Sequence, residues 1–463
     1  MKPILFIDFG STNTKVTAVD LDEEIILGTA ASYTTVETDI NEGLEEALTK
    51  LTAKTGPLDF VGRYACSSAA GGLKMLASGL VPELTVKAAK EAALGAGAKV
   101  LKVYSYELTE DDLAEIEETS PDIFLLTGGT DGGNKEVITA NAARLATVNA
   151  DFPVLVAGNR AAARTCEKIL ADAGKEVYVC DNVMPKLGEL NVGPAQKKIR
   201  EIFLEKIVSA KGLDRAGKTI DGIMMPTPAA VLSAMEILAE GIGDLIGIDV
   251  GGATTDVYSM SEGAPERTNT VIKGLTEPFA KRTVEGDIGM RYSAMGIVEA
   301  AGTPALEKAT GLDGDKLWEL LEYVTENTSV LPEDEALQKL DFGLASLAVR
   351  IGVARHAGTA EKVYTPLGEA FMQQGKDLTR VKKIVVTGGS LIHNEKVKEI
   401  AANALYDISE PTSLRPTEAE ILVDKRYILS AMGLLGQYEP EKALRIMRKE
   451  LVSYGTCKQE IKQ

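Results

Sequence analysis

Two stretches of this chain, "LFIDFGSTNTKVTAVD" from Leu5 and "LIGIDVGGATTDVYSM" from Leu245, are near copies of each other. Each ends an apolar strand on an Asp, follows it with Gly, Ser or Thr, and returns into a second apolar strand. Small residues let backbone N–H groups come close to phosphate oxygens, hydroxyls add donors, and the carboxylate suits Mg2+ or its waters. One such hairpin is an ordinary β-turn about as often as a ligand site. Two of them, at Asp8 and Asp249, imply two related sheets able to clamp a polyphosphate from both sides.

A third glycine-rich turn, "IVVTGGSLIHN", ends a buried strand at Gly388, Gly389 and Ser390. Bare backbone there suits close approach of a flat ligand such as adenosine; taken alone it reads as a plain strand-to-helix turn. Around these turns the periodicities predict strands at residues 4–9, 15–20 and 24–32. A helix begins near 38–41 with Leu44, Ala47, Leu48 and Leu51 on one face, and a further strand lies near 60–66. Three antiparallel strands followed by strands alternating with helices is the pattern of a ribonuclease H-like α/β unit. Over residues 99–208 short apolar runs alternate with helical segments, which either form a parallel α/β insertion or complete the first sheet. Helices are predicted at 284–300, 315–325 and 333–353, a strand at 383–387, and helices again in the C-terminal stretch.

Composition removes several classes of function. The 50 Lys and Arg face 68 Asp and Glu, a net charge of -18, which repels nucleic acid and anionic membrane surfaces. An anionic ligand therefore needs local backbone N–H groups, a lysine or a metal ion. Four widely spaced cysteines and two histidines, with no CxxC, indicate neither a zinc site nor a disulfide framework. No D-x-H-x-x-G segment for ligating cobalamin through His occurs, and Cys66 has no second ligand nearby for an iron–sulfur cluster. The opening "KPILFIDFG" lacks a leader pattern and no apolar run reaches membrane-span length, so the expected compartment is the cytoplasm.

The order of these motifs resembles the actin, sugar kinase and heat-shock chaperone superfamily. A first phosphate loop lies at residues 8–15, a connecting helix at 226–240, a second phosphate loop at 249–256, an adenosine motif at 387–390 and a second connecting helix at 427–435. The resemblance implies an α/β, two-lobed actin-like ATPase fold with duplicated ribonuclease H-like domains and an α/β insertion. The corresponding boundaries are 1–98 for the first lobe, 99–208 for the insertion, 209–245 for a connecting segment, 246–426 for the second lobe with a helical insertion, and 427–463 for C-terminal connecting helices. Carried over residue by residue, Asp8 and Asp249 would hold Mg2+ and carry catalysis. Gly10, Ser11, Thr12, Asn13 and Lys15 would surround the ATP phosphates from one lobe, and Gly251, Gly252, Ala253 and Thr254 from the other. Gly388, Gly389 and Ser390 would line the adenosine site. Lys15 is read either as a phosphate ligand or as a solvated strand residue.

Within the superfamily, "FIDFGSTNTKVTAVD", "LLTGGTDGGN", "VLVAGNRAAA", "MMPTPAAV" and "RTVEGDIGMRYSA" are similar to the accessory-protein family called MutL or GlmL, encoded beside adenosylcobalamin-dependent glutamate mutase. That resemblance implies an ATP-dependent chaperone or reactivating factor for mutase subunits, with a slow ATPase driving a lobe movement. A small-molecule kinase and a non-hydrolysing nucleotide-binding scaffold are the alternatives. One departure bears on hydrolysis: the chaperones carry a Glu before the Pro-Thr of the connecting helix where this chain has Met225, and a thioether orients water poorly. Glu285 and Asp287 are read either as substitute carboxylates or as a solvated helix start. The Gly-rich segment 125–134 is read either as an anion or mutase contact or as a turn inside the insertion.

Overall fold

The computed structural model describes residues 2–10, 12–34, 40–68, 73–210, 221–366 and 368–459, the side chains at 206–210 and 222–224 excepted. The chain divides into two compact units: Met1–Ala234 with Gly274–Thr276 and Ser430–Ile446, and Met235–Lys273 with Glu277–Leu429 and Met447–Gln463.

In the first unit β1 (Pro3–Phe9) is buried along its whole length, as a central strand covered on both faces must be. It pairs antiparallel with β2 (Asn13–Asp20), and β2 with β3 (Ile25–Tyr33), whose alternating burial marks an edge with one wet face. The helix Ile40–Thr55 buries Leu44, Ala47 and Leu51 in the same cluster as Val16, Ala18 and Ala30 of this sheet. The strand β4 (Gly62–Ser67) then returns parallel to β1.

Five parallel strands follow as a sheet of their own: β5 (Lys74–Gly79), β6 (Lys99–Ser105), β7 (Ile123–Leu126), β8 (Val154–Val156) and β9 (Val177–Val179), in spatial order β6-β5-β7-β8-β9. Period-two alternation sends Leu76, Phe124, Leu126, Val154 and Val156 into one apolar cluster and Met75, Ala77, Leu125 and Leu155 into another. Both faces are therefore buried, which is why the sequence shows short continuous apolar runs here. This sheet begins at Lys74, upstream of residue 99, because β5 is its second strand in space. Afterwards β10 (Gly222–Pro226) pairs parallel with β4 and gives the first sheet the order β10-β4-β1-β2-β3.

The second unit repeats that plan with β11 (Leu245–Val250), β12 (Thr255–Met260), β13 (Thr270–Ile272), β14 (Ala280–Glu285), β15 (Thr359–Thr365), β16 (Gly368–Gln374), β17 (Lys383–Thr387), β18 (Glu418–Val423) and β19 (Val452–Lys458). Its main sheet runs β14-β12-β11-β17-β18-β19: β11, β12 and β14 antiparallel, then β17 and β18 parallel to β11 and to each other. Each unit thus holds a ribonuclease H-like sheet, and the strand order itself carries the duplication. The helix Glu335–His356, capped by Asp334 on the Leu337 N–H, runs through the core of this unit.

Two local expectations are corrected, and one small sheet was not foreseen. Residues 284–285 end β14 instead of opening a helix, and the helix starts at Ala294. Residues 452–458, read as helical, form β19, which completes the sheet edge against β18. A small sheet of β13, β16 and β15 has no counterpart in the sequence reading, since its strands are largely exposed. No helix of the described residues is long and apolar enough to cross a membrane.

Candidate functional site

The two hairpins are built alike. The N–H of Gly10 donates to the Asn13 carbonyl at 3.1 Å, and the N–H of Gly251 donates to the Thr254 carbonyl at 2.9 Å. These closures stand at the same offsets from Asp8 and Asp249. A Cβ on Gly10 would stand 2.6 Å from the Asn13 carbonyl oxygen, so the tight first turn requires a glycine. Thr12 is half-buried and Asn13 exposed, and Ser11 lies outside the described residues.

Asp8 ends β1 and is buried. Opposite it in the ladder is Lys15, whose Nζ lies 3.7 Å from Asp8 Oδ2. Two residues that sequence reading left off the site complete the surroundings of Asp8. Thr227 Oγ1, at the start of the helix Thr227–Ile242, donates to Asp8 Oδ1 at 2.6 Å. Ser430 Oγ, in the helix Leu429–Leu435, donates to Asp8 Oδ2 at 3.1 Å. Both helices were recognised by motif order, yet nothing local in either segment singles out a hydroxyl.

Cys66 lies beside Asp8 in the parallel ladder and 3.6 Å from the Thr227 hydroxyl. Burial, and then the Asp8 charge, push its thiol well above the ordinary cysteine range. It is a protonated packing residue with little thiolate. A thiol reagent at pH 8 should leave Cys66 and the equally buried Cys166 unmodified in the folded protein and modify all four cysteines in denaturant. Rapid native labelling of Cys66, read by peptide mass, would contradict this placement.

In the second unit Asp249 is half-buried at the end of β11. Here the ladder partner is Asp256 where the first hairpin has Lys15, and Arg282 holds the Asp256 carboxylate at 2.6 Å. The carbonyls of the loop are claimed from behind. Met290 N–H donates to Gly251 O, Arg291 and Tyr292 N–H groups to Gly252 O, and Ser293 Oγ to Ala253 O. Among the described residues the N–H groups of Gly252 and Ala253 donate to no protein acceptor. A loop whose carbonyls are tied down and whose N–H groups are spare is suited to an anion.

Gly388, Gly389 and Ser390 follow β17, which runs parallel to β11. Gly388 adopts φ +95°, and a Cβ there would stand 2.6 Å from Asp249 Oδ1. Within this unit the third glycine turn therefore adjoins the second acidic tip. Glu285 and Asp287 both pair with Arg355, at 2.7 and 2.8 Å. That hydrogen bond holds the Asp287 carboxyl below its usual range, so these carboxylates are engaged in a surface ion cluster.

The Gly-rich segment 125–134 is tied to the loops around residues 159 and 182. Asp131 Oδ1 accepts from Arg160 N–H at 2.9 Å and from Asn182 Nδ2 at 3.0 Å, while Asn159 Nδ2 donates to the carbonyls of Gly133 and Asn134. Asp131 thus supplies the negative charge at the start of the helix Arg160–Asp172, which favours a structural turn.

Among the described residues no three His, Cys, Asp or Glu side chains form a metal-holding group. An all-protein cage is absent there. One or two carboxylates with phosphate and water are what Mg2+ ordinarily takes, so the acidic tips fit that ion.

A family model described as MutL protein matches residues 4–451. The curated protein from Clostridium tetanomorphum named "Protein MutL" is 50% identical over 460 residues, covering 98% of this chain and 100% of that one. Solved structures resembling it include xylulose kinase from Bifidobacterium adolescentis, at 12% identity and TM-score 0.33 over 99% of this chain and 97% of that chain. Another is Plasmodium falciparum glycerol kinase with ADP, at 12% identity and TM-score 0.35 over 99% and 94%. At such TM-scores these two likenesses carry no conclusion.

Proposed function

The chain belongs to the MutL protein family, and from that premise we propose that it is an ATP-dependent reactivating factor for an adenosylcobalamin-dependent mutase, glutamate mutase in the first place. The observation that carries the nucleotide part is the second hairpin, where tied carbonyls leave the Gly252 and Ala253 N–H groups for phosphate beside Asp249. The first hairpin supports it with the same turn, an acidic tip at Asp8 and a cation at Lys15. In each unit the acidic tip, Asp8 in the first and Asp249 in the second, is the carboxylate that would hold Mg2+. Bound with ATP, that ion would neutralise charge on the phosphates.

In the second unit the spare N–H groups of Gly252 and Ala253 bind phosphate and Gly388 to Ser390 receive the adenosine, while in the first unit Lys15 supplies a cation beside Asp8. Met225 is buried at the end of β10, where it offers no strong acceptor to a water. Turnover is accordingly slow, and a carboxylate tip such as Asp249 is left to position water. The same Met225 favours, as a second reading, a nucleotide-binding scaffold that does not hydrolyse.

The test mixes the full chain with cobalamin-inactivated holo-mutase, ATP, Mg2+ and fresh adenosylcobalamin. Recovery of mutase activity that needs both the chain and ATP is expected. Recovery equal with and without ATP rejects the nucleotide role, and recovery supported by a non-hydrolysable analogue selects the scaffold.

A further inference from the structure

Asp8 is bonded by two hydroxyls from far along the chain, 219 and 422 residues away in sequence. Each takes a different carboxylate oxygen. A carboxylate so held cannot turn about its terminal bond without giving up both hydrogen bonds, and each ionised oxygen keeps a second lone pair for another partner. Asp8 is only 4% exposed and Ser430 5%, so water competes weakly for these bonds.

The hydroxyls are also free of the task that Ser and Thr usually perform at a helix start. The beginning of Leu429–Leu435 is already capped by Asp424, which accepts from the N–H groups of Ile428 and Leu429 at 2.9 and 3.2 Å. The Ser430 hydroxyl is spent on Asp8 instead. The two helices that deliver the hydroxyls are locked together. A Cβ on Gly433 would stand 1.8 Å from the Ala230 carbonyl oxygen, and Gln437 Nε2 donates to Ser233 Oγ at 3.0 Å. Glycine at 433 permits that backbone contact, and the contact keeps both hydroxyls at one carboxylate.

We infer that Thr227 and Ser430 are positioning residues that aim the Asp8 carboxylate for a divalent cation bound with nucleotide. The inference rests on the nucleotide reading given above. The two hydroxyls act through Asp8, so their loss weakens the metal-dependent part of binding and spares the metal-independent part.

The experiment measures ADP binding to the full chain by calorimetry, in saturating Mg2+ and in EDTA, for wild type, Thr227→Val, Thr227→Ser and Ser430→Ala. The ratio of the two affinities is the quantity read. Loss of one hydrogen bond to a charged group should lower that ratio roughly tenfold in Thr227→Val and in Ser430→Ala. Thr227→Ser, which restores the hydroxyl, should return it to within about twofold of wild type. Should Thr227→Val fold poorly, Ser430→Ala against Thr227→Ser reads the same ratio. A wild-type ratio in both hydroxyl-free variants, or no rescue by serine, overturns the inference while nucleotide binding stands. Absence of ADP binding by wild type overturns the nucleotide reading, and the inference with it.

Discussion

Arg291→Met is expected to destabilise the second unit by about 3–5 kcal/mol, the cost of leaving a buried charge without its partner. Arg291 and Asp341 are each 8% exposed and meet through two parallel bonds, both 2.9 Å long. The same guanidinium donates to the carbonyls of Met290 and Val330. Thermal unfolding of that unit should fall by roughly 10 °C. The consequence reaches the candidate site, because the Arg291 N–H donates to the Gly252 carbonyl at 2.8 Å. A strand–loop segment cut loose from Asp341 no longer fixes which way the Gly252–Ala253 peptide faces, so ATP affinity should fall as well. Arg291→Met combined with Asp341→Leu removes the second stranded charge and should recover at least half of the lost stability. A double variant as unstable as the single one would show that the pair is not the source of the effect.

Gly388→Ala is expected to be the most damaging single-methyl change in the nucleotide region. At φ +95° an alanine is strained by about 1–3 kcal/mol before any contact is counted. Its Cβ would also stand 2.6 Å from Asp249 Oδ1, 2.6 Å from Val250 O and 2.9 Å from Val250 N. Two of those three neighbours are backbone of β11, which cannot yield cheaply inside a six-stranded sheet. The carboxylate of Asp249 is the part that moves. ATP affinity should drop roughly tenfold or more, a displacement worth at least about 1.4 kcal/mol. Gly368→Ala, at φ +114° with nothing near its Cβ, carries the backbone strain without the contacts, serves as the matched control and should bind ATP as wild type does. Equal affinities for the two variants would mean that the Gly388 turn does not set the position of Asp249.

Much of the fold was legible because it is written in short-range patterns. A buried central strand reads as an unbroken apolar run, an edge strand as alternation, and a hairpin as an acidic tip followed by small residues. The repeat of that last pattern was enough to expect two ribonuclease H-like sheets. The small sheet of β13, β15 and β16 was not legible, since exposed strands carry no apolar period. Strand β19 was missed because a polar edge segment beside helices has no alternation to betray it. At the site, the tips and glycine turns were found by pattern, whereas Thr227, Ser430 and Arg291 were not.

What the sequence determined alone is the chemistry available at each turn: a carboxylate, spare backbone, hydroxyls, and glycines where backbone must come close. Tertiary structure decided which of these groups meet. Thr227 and Ser430 reach Asp8 only because the parallel pairing of β10 with β4 and the helix contact at Gly433 bring residues hundreds of positions apart to one carboxylate. A hydrogen bond has no period along the chain, so partners at such separations leave no trace in local composition.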